Sequence, residues 1–322
     1  MTFHGGPDGG PEPRHDFSSN ANALGPNPVL LAAIRRADLS RYPDPNYGAL
    51  REVLAAHHRV PAESVVPGSG ASELIHRLVR VRAGAVLALG PTFGEYAHAA
   101  RAAGVGYREA RSREAFLRGL ENAALAFLAQ PNNPTGELFE AGFVQEAARR
   151  ASRYGAWLVF DLAYAPLADV YVPVPEGAFR LFAPNKAHGL TGVRAGYLIA
   201  PSENLAARLT RAAPSWVIGA AEVAFLCAQA GVGARNWLQG TLPVLFAWRR
   251  RLAGLLRERG YAVQEGAANF IMARLGEDAA AFLRARGLRV RPLADKGLPD
   301  WARLSAQPPE ALAALAAALK EH

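Results

Sequence analysis

Three runs of five apolar residues constrain this chain more than anything else in it: Ala85-Val86-Leu87-Ala88-Leu89, Ala124-Leu125-Ala126-Phe127-Leu128 and Ala156-Trp157-Leu158-Val159-Phe160. Each stops in a loop rich in Gly, Pro, Asn or Asp, and helical stretches lie between them. A strand with one wet face would alternate. Continuous apolar strands separated by helices instead predict an α/β fold whose parallel sheet is covered on both faces. Ligands in such sheets gather at the carboxyl ends of the strands. Upstream, helical periodicity in 27–37 and 46–58 gives way to Ser64-Val65-Val66, and then to Gly68-Ser69-Gly70-Ala71-Ser72-Glu73 opening another helix. The order is strand, glycine loop, helix.

A chain of 322 residues exceeds the usual size of a single core, so two lobes are expected. Residues 1–16, rich in Gly, Pro and His, read as an irregular arm. After about residue 210 the texture shifts to long helices, including 236–259. Strand candidates follow at 268–274, 288–293 and 302–306, then a terminal helix at 309–320. The expected division is an N-terminal arm and small-domain segment (1–26), a large domain with a mostly parallel sheet (27–212) and a small α+β domain (213–322).

The formal charge of +8 and a pI of about 10.0 invite a nucleic-acid reading. The arginines, however, are scattered over helical segments such as 149–153 and 249–259, with no basic run interleaved with aromatics. No nucleic-acid partner is expected; small phosphorylated substrates are a second use for the surplus charge. The single cysteine, Cys227, cannot form an internal disulfide and fits a reducing cytosol. No uninterrupted apolar stretch reaches the roughly 18 residues of a membrane helix, so the expectation is a cytoplasmic protein without a membrane partner.

Four segments carry polar chemistry at the expected strand ends. Gln130-Pro131-Asn132-Asn133-Pro134-Thr135-Gly136 is by itself a good turn sequence. In Asp161-Leu162-Ala163-Tyr164 an acid follows the most hydrophobic strand, a position where an ordinary helix cap also occurs. The stretch from Asn185 to Tyr197 holds Lys186, the first lysine of the chain, among punctuating glycines, with Arg194 eight residues on. Lysines are usually surface residues, but one partly buried beside other cations loses its proton readily and becomes a nucleophile. The Gly68–Ser72 loop offers helix-start amides suited to a dianionic phosphate. Each is weak or moderate alone; the glycine loop followed by the Asn, Asp and Lys segments in turn is a strong joint signal.

In that order of motifs the chain resembles the class I/II aminotransferases of the fold-type-I pyridoxal-phosphate superfamily, from about Asp16 to Arg303. The resemblance implies pyridoxal 5′-phosphate as cofactor, held by Lys186 as a Schiff base. It implies that Asp161 faces the pyridine nitrogen, that Asn133 and Tyr164 bind the ring oxygen, and that Phe93 stacks on the ring. Arg194, Ala71 and Ser72 would hold the cofactor phosphate, and Tyr42 would reach it from the other subunit of a homodimer. Arg303, in Trp301-Ala302-Arg303-Leu304-Ser305, would clamp a substrate carboxylate. One departure stands out: Ala183 and Asn185 occupy positions where the family usually has Ser or Thr, which removes a hydroxyl from the phosphate site.

Two branches of the superfamily compete, both acting on a small amine that carries a phosphate. Val290-Arg291-Pro292-Leu293, Gly297-Leu298-Pro299-Asp300 and Gly189 to Arg194 resemble histidinol-phosphate aminotransferases. His4-Gly5-Gly6, Asp16 to Asn22, His57 to Pro61, Phe93 to Tyr96 and Pro214 to Val217 resemble the threonine-phosphate decarboxylases of cobalamin biosynthesis. The second set covers more of the chain, so the expectation leans to a decarboxylase in which His4, Asn20, Arg291 and Tyr42 grip the substrate phosphate. A non-catalytic pyridoxal-fold regulatory module fits less well, since the lysine is intact and no helix-turn-helix precedes it.

Overall fold

The computed structural model describes residues 5–321. The N-terminal part runs β1 (His15–Asp16), α1 (Pro28–Arg35), α2 (Gly48–His58), β2 (Val65–Gly68), α3 (Gly70–Arg82), β3 (Val86–Leu89), α4 (Glu95–Ala102) and β4 (Tyr107–Ala110). The middle adds α5 (Arg113–Gly119), β5 (Leu125–Ala129), α6 (Ala141–Tyr154), β6 (Trp157–Asp161), β7 (Phe179–Phe182), β8 (Gly196–Ile199), α7 (Glu203–Arg211) and α8 (Ala220–Gln229). The chain closes with α9 (Val232–Arg257), β9 (Ala262–Glu265), β10 (Phe270–Arg274), α10 (Ala279–Ala285), β11 (Leu288–Arg289), β12 (Arg291–Leu293), β13 (Leu298–Ser305) and α11 (Pro309–Ala318).

Local chemistry explains the boundaries. Pro28 fills the first position of α1, and the Asn27 side chain accepts from Val29 N at 3.0 Å, so both the fixed φ and the cap favour a start there. On α6 the buried residues Phe143, Val144, Ala147 and Ala151 form one stripe, and the helix stops at Gly155, whose φ of 69° suits a residue without a Cβ. Strand β5 is buried at all five positions, as the continuous apolar run requires of a strand covered on both sides.

Seven strands form the main sheet in the order β2-β8-β7-β6-β5-β3-β4. Strands β4, β3, β5, β6 and β7 pair in parallel, while β8 lies antiparallel to both β7 and β2. The reversal lets the chain pass from β7 to β8 through turns alone, without a crossover helix, and Lys186 sits in those turns. Helix α3 packs on one face, with Leu74, Ile75 and Leu78 in the core shared with Val66, Phe127 and Leu198. Helix α6 packs on the other, where Phe143, Val144 and Ala147 meet Leu87, Leu128 and Phe160.

A second, antiparallel sheet orders β12-β13-β10-β9 and has its own core, in which Leu252 and Leu256 of α9, Leu283 of α10 and Leu312 and Leu315 of α11 meet Ile271 and Leu304. Two expectations need correction. The end of the arm is not irregular: His15 and Asp16 pair in parallel with Leu288 and Arg289, a partner too distant in sequence to leave a local signal. The single strand expected at 288–293 is two, in different sheets, parted at Val290. Among the described residues no helix is long and apolar enough to cross a membrane.

Candidate active site

Because β5, β6 and β7 are neighbours, the segments leaving their carboxyl ends converge. They deliver Asn133, then Asp161 and Tyr164, then Lys186 to one place, the position this sheet architecture reserves for ligands. Opposite them, the first turn of α3 brings Ala71 and Ser72, and Phe93 and Arg194 complete the wall of a recess. The recess opens into a cavity of about 510 Å³ that also takes in Asn20, Arg291 and Arg303. Of the described site residues expected from the sequence, only Tyr42 does not line it. Tyr42 is exposed, stacked on Trp216 at 4.4 Å, and His4 lies outside the described residues.

Asp161 ends β6 and is buried. Its carboxylate accepts from the Tyr96 hydroxyl at 2.8 Å and from Ala163 N at 3.1 Å. Burial raises its pKa, and these two hydrogen bonds with the nearby Lys186 charge work against that rise. A cationic N–H donor placed against it would compensate the buried charge. The Lys186 ammonium stands 5.4 Å from the centroid of the Tyr164 ring. Its own segment is pinned to the body of the protein: Asn22 N donates to Lys186 O at 2.9 Å and the Asn22 amide to Ala187 O at 3.1 Å. The Tyr164 hydroxyl accepts from Asn20 at 3.3 Å.

At the other end of the recess Gly70 opens α3 with φ +81°, and a Cβ there would stand 3.0 Å from an Arg194 guanidinium nitrogen. Strand β8 comes equally close, since a Cβ on Gly196 would meet Gly70 Cα at 3.1 Å. First-turn amides of a helix have no partner within it and point outward beside the positive end of the helix dipole, with the Arg194 charge alongside. Ala183 and Asn185 line this part of the recess, and Asn185 Oδ1 is buried without a hydrogen-bond partner.

The outer cavity is cationic. Arg303 donates to Asn133 Oδ1 and, at 2.6 Å, to Ser18 O, and its Nε is buried without a partner. Burial lowers its pKa to about 10, which leaves it charged near neutrality. Arg291 is paired with Asp295 at 2.8 Å. The sequence reading passed over Arg289 and Lys296, which also line the cavity, and Tyr96, the partner of Asp161. Arg289 and Arg291 flank the buried Val290, and that alternation was the available signal for a second arginine on the same side. Arg289 binds Asp16 at 2.9 Å and Asp8 at 3.4 Å; burial opposes the charge on Asp16, but the bonds from Arg289 and Ser18 outweigh it and hold the carboxyl below its ordinary value. Asp8 also meets Arg284 at 2.9 Å, and Gly6 N donates to Ser18 Oγ at 2.9 Å, so the arm forms part of the cavity wall.

These groups fit pyridoxal 5′-phosphate on chemical grounds: a buried acid for the pyridine nitrogen, a lysine for the aldehyde, outward helix amides with an arginine for the phosphate, and an unpartnered buried amide oxygen beside them.

The model of the family described as aminotransferase class I and II matches residues 14–319. Histidinol-phosphate aminotransferases of Jannaschia sp. and Ruegeria sp. are each 32% identical to the chain. The first match covers 91% of this chain and 87% of that protein, the second 95% and 90%. The structure superposes with a TM-score of 0.84 on the histidinol-phosphate aminotransferase of Sinorhizobium meliloti in complex with pyridoxal-5′-phosphate. That pair is 26% identical over 96% of this chain and 91% of that one. L-threonine-O-3-phosphate decarboxylase from Porphyromonas gingivalis has a TM-score of 0.81 at 20% identity, over 95% and 98% of the chains, a likeness of fold alone. The chain belongs to the class I and II aminotransferase family, and pyridoxal 5′-phosphate is its cofactor.

Proposed function

We propose that this protein is an aminotransferase acting on a small phosphorylated amine, with histidinol phosphate as the first candidate. One observation carries the reading: the cavity beyond the cofactor recess is lined by Arg289, Arg291, Lys296 and Arg303, more positive charge than the cofactor phosphate alone requires. The sequence expectation leaned to threonine phosphate; the relatives near one-third identity are named for histidinol phosphate and favour transamination.

The cofactor, when bound, serves as an electron sink for the bond broken at the substrate's Cα. The rest falls to the chain. Asp161 keeps a proton on the pyridine nitrogen, and Tyr96 and Ala163 N fix the carboxylate that does so. With the cofactor held there, Lys186 Nζ would be the base that takes the proton from the substrate's Cα and holds it for return. Histidinol phosphate has no carboxylate on Cα to lose, so the Cα–H bond is the one that must stand perpendicular to the ring. Arg303 binds the substrate's anionic group, which is the phosphate, one CH₂–O link beyond Cα, in one half-reaction and the carboxylate of a keto-acid acceptor in the other. Tyr42, exposed here, is proposed to reach the cofactor phosphate of a second copy in a homodimer.

A decarboxylase reading keeps one specific support, the arm: Gly5, Gly6, Pro7 and Glu12 wall the cavity. The two readings separate in a single assay. Histidinol phosphate with 2-oxoglutarate should give glutamate, and histidinol phosphate alone should convert the cofactor to its pyridoxamine form. Release of CO₂ from L-threonine phosphate, without any pyridoxamine form from histidinol phosphate, would reverse the assignment.

A further inference from the structure

Away from the cofactor recess, two histidines and a glutamate from neighbouring helices converge. His76 lies on α3, and Glu95 and His98 lie three residues apart on α4, so both α4 side chains share one face of that helix. His76 Nε2 is 2.8 Å and His98 Nδ1 3.0 Å from the same carboxylate oxygen, Glu95 Oε1. The two imidazole rings stand edge to face with centroids 5.2 Å apart. Glu95 is buried, His76 half-buried and His98 exposed, so solvent reaches the group.

We propose that His76, Glu95 and His98 form a three-ligand site for a divalent transition metal, zinc foremost. Two imidazoles and a carboxylate are a common zinc set, and zinc bound by three protein ligands keeps a fourth position for water. Tetrahedral bonds of about 2.0–2.1 Å place ligand atoms roughly 3.3–3.4 Å apart. Here all three candidate atoms lie within 4.8 Å of one another, so small side-chain rotations suffice to close the set around an ion. Imidazole also selects zinc, nickel and copper over magnesium and calcium, which take oxygen ligands. A metal here ties α3 to α4. The first of these helices opens with the Gly70–Ser72 turn, and the second begins two residues after Phe93, so the ion braces two walls of the recess from behind.

The test uses the holoenzyme stripped of metal by a chelator and titrated with zinc against a chromophoric indicator, with magnesium as control. One saturable equivalent of zinc per chain, no competition by magnesium and a rise in Tm on loading are expected. His98→Ala and His76→Gln should each weaken binding, and losing a ligand should cost at least the roughly tenfold that losing a ligand's support does. Cobalt in place of zinc should give visible absorption bands that His98→Ala removes; His98 is exposed, so that variant tests the site without threatening the fold. No saturable equivalent, or an equivalent that either substitution leaves unchanged, overturns the proposal.

Discussion

Arg303 is asked to do two things at once. Its guanidinium orients Asn133 and is held by Ser18 O, yet its buried Nε has no partner and the side chain lines the cavity where an anion is expected. Lysine keeps the charge but cannot make the two-pronged contact. Arg303→Lys should therefore raise KM for the phosphorylated amine more than tenfold, as expected for a charge-assisted bond worth about 1.5–3 kcal/mol, with the cofactor absorbance unchanged. Loss of that absorbance instead would show that the arginine serves mainly to hold Asn133. Two histidines shielded from water, His188 buried and His58 half-buried, predict a pH dependence of stability. Burial, with His57 and Arg180 nearby, lowers His58 to about 3, and burial alone lowers His188 to about 4. The Asn27 amide donates to His188 Nδ1 at 3.1 Å, an arrangement open only to the neutral ring. The unfolded chain takes up these protons near the ordinary value of 6.5, so the stability is present above that pH and is lost as pH falls toward 4 and 3. By pH 5 the loss should approach about 2 kcal/mol for each histidine, read as a falling urea midpoint. His58→Gln and His188→Asn should each flatten that slope. Lys186, Asp161 and Asn133 could be singled out from sequence because they follow apolar strands. Tyr96 could not, because its role is set by a partner 65 residues away.

At the scale of elements, the start of α3 is where we propose that the cofactor phosphate approaches. Gly70 at φ +81° combines a backbone shape that costs an L-residue roughly 1 kcal/mol with a Cβ position 3.0 Å from the Arg194 guanidinium. Gly70→Ala should fold but displace Arg194, and the cofactor dissociation constant, followed by absorbance, should rise about tenfold. An unchanged constant would mean that the phosphate is held elsewhere. The elements legible in sequence were those whose burial is uniform: β3, β5 and β6 are buried almost throughout and their apolar runs match the strands to within a residue. Strand β4, Tyr107–Ala110, is an edge strand with two exposed positions, and its polar residues hide it from any rule based on apolar runs. The reversal of β8 carries no local mark either, because Gly196–Ile199 is buried at every position and reads the same in both directions. Register and direction are decided by partners, and Val65 finds Ile199 only after the intervening chain has folded.

The whole molecule is two sheets, each packed with its own helices, and a cavity that the N-terminal arm helps to wall. Arg249, buried on α9, joins the parts: it donates to Gly266 O and Ala268 O at 2.7 and 2.8 Å and pairs with Asp169 at 2.9 Å. The arm's attachments are of a different kind. From Asp16 onward it is sheet and core, since β1 pairs with β11, Phe17 is fully buried, and Ser305 N donates to Phe17 O at 2.9 Å. Before His15 it is held by one buried hydrogen bond, Gly6 N on Ser18, and by Asp8 on Arg284 and Arg289, ion pairs that are partly exposed and individually weak. Deleting residues 1–10 should therefore leave the fold, the Tm and cofactor absorbance close to those of the full chain. It should nonetheless remove one wall of the cavity and the Asp8 partner of Arg289. Water then reaches the anion-binding arginines, whose attraction for a phosphate falls as the local dielectric rises. KM for the phosphorylated amine should rise severalfold and become steeply dependent on salt, while kcat changes little because Lys186, Asp161 and Arg194 are untouched. An unchanged KM would show that the arm lies against the cavity without shaping what enters it, and a collapse of kcat or of cofactor binding would show that the arm helps build the recess itself.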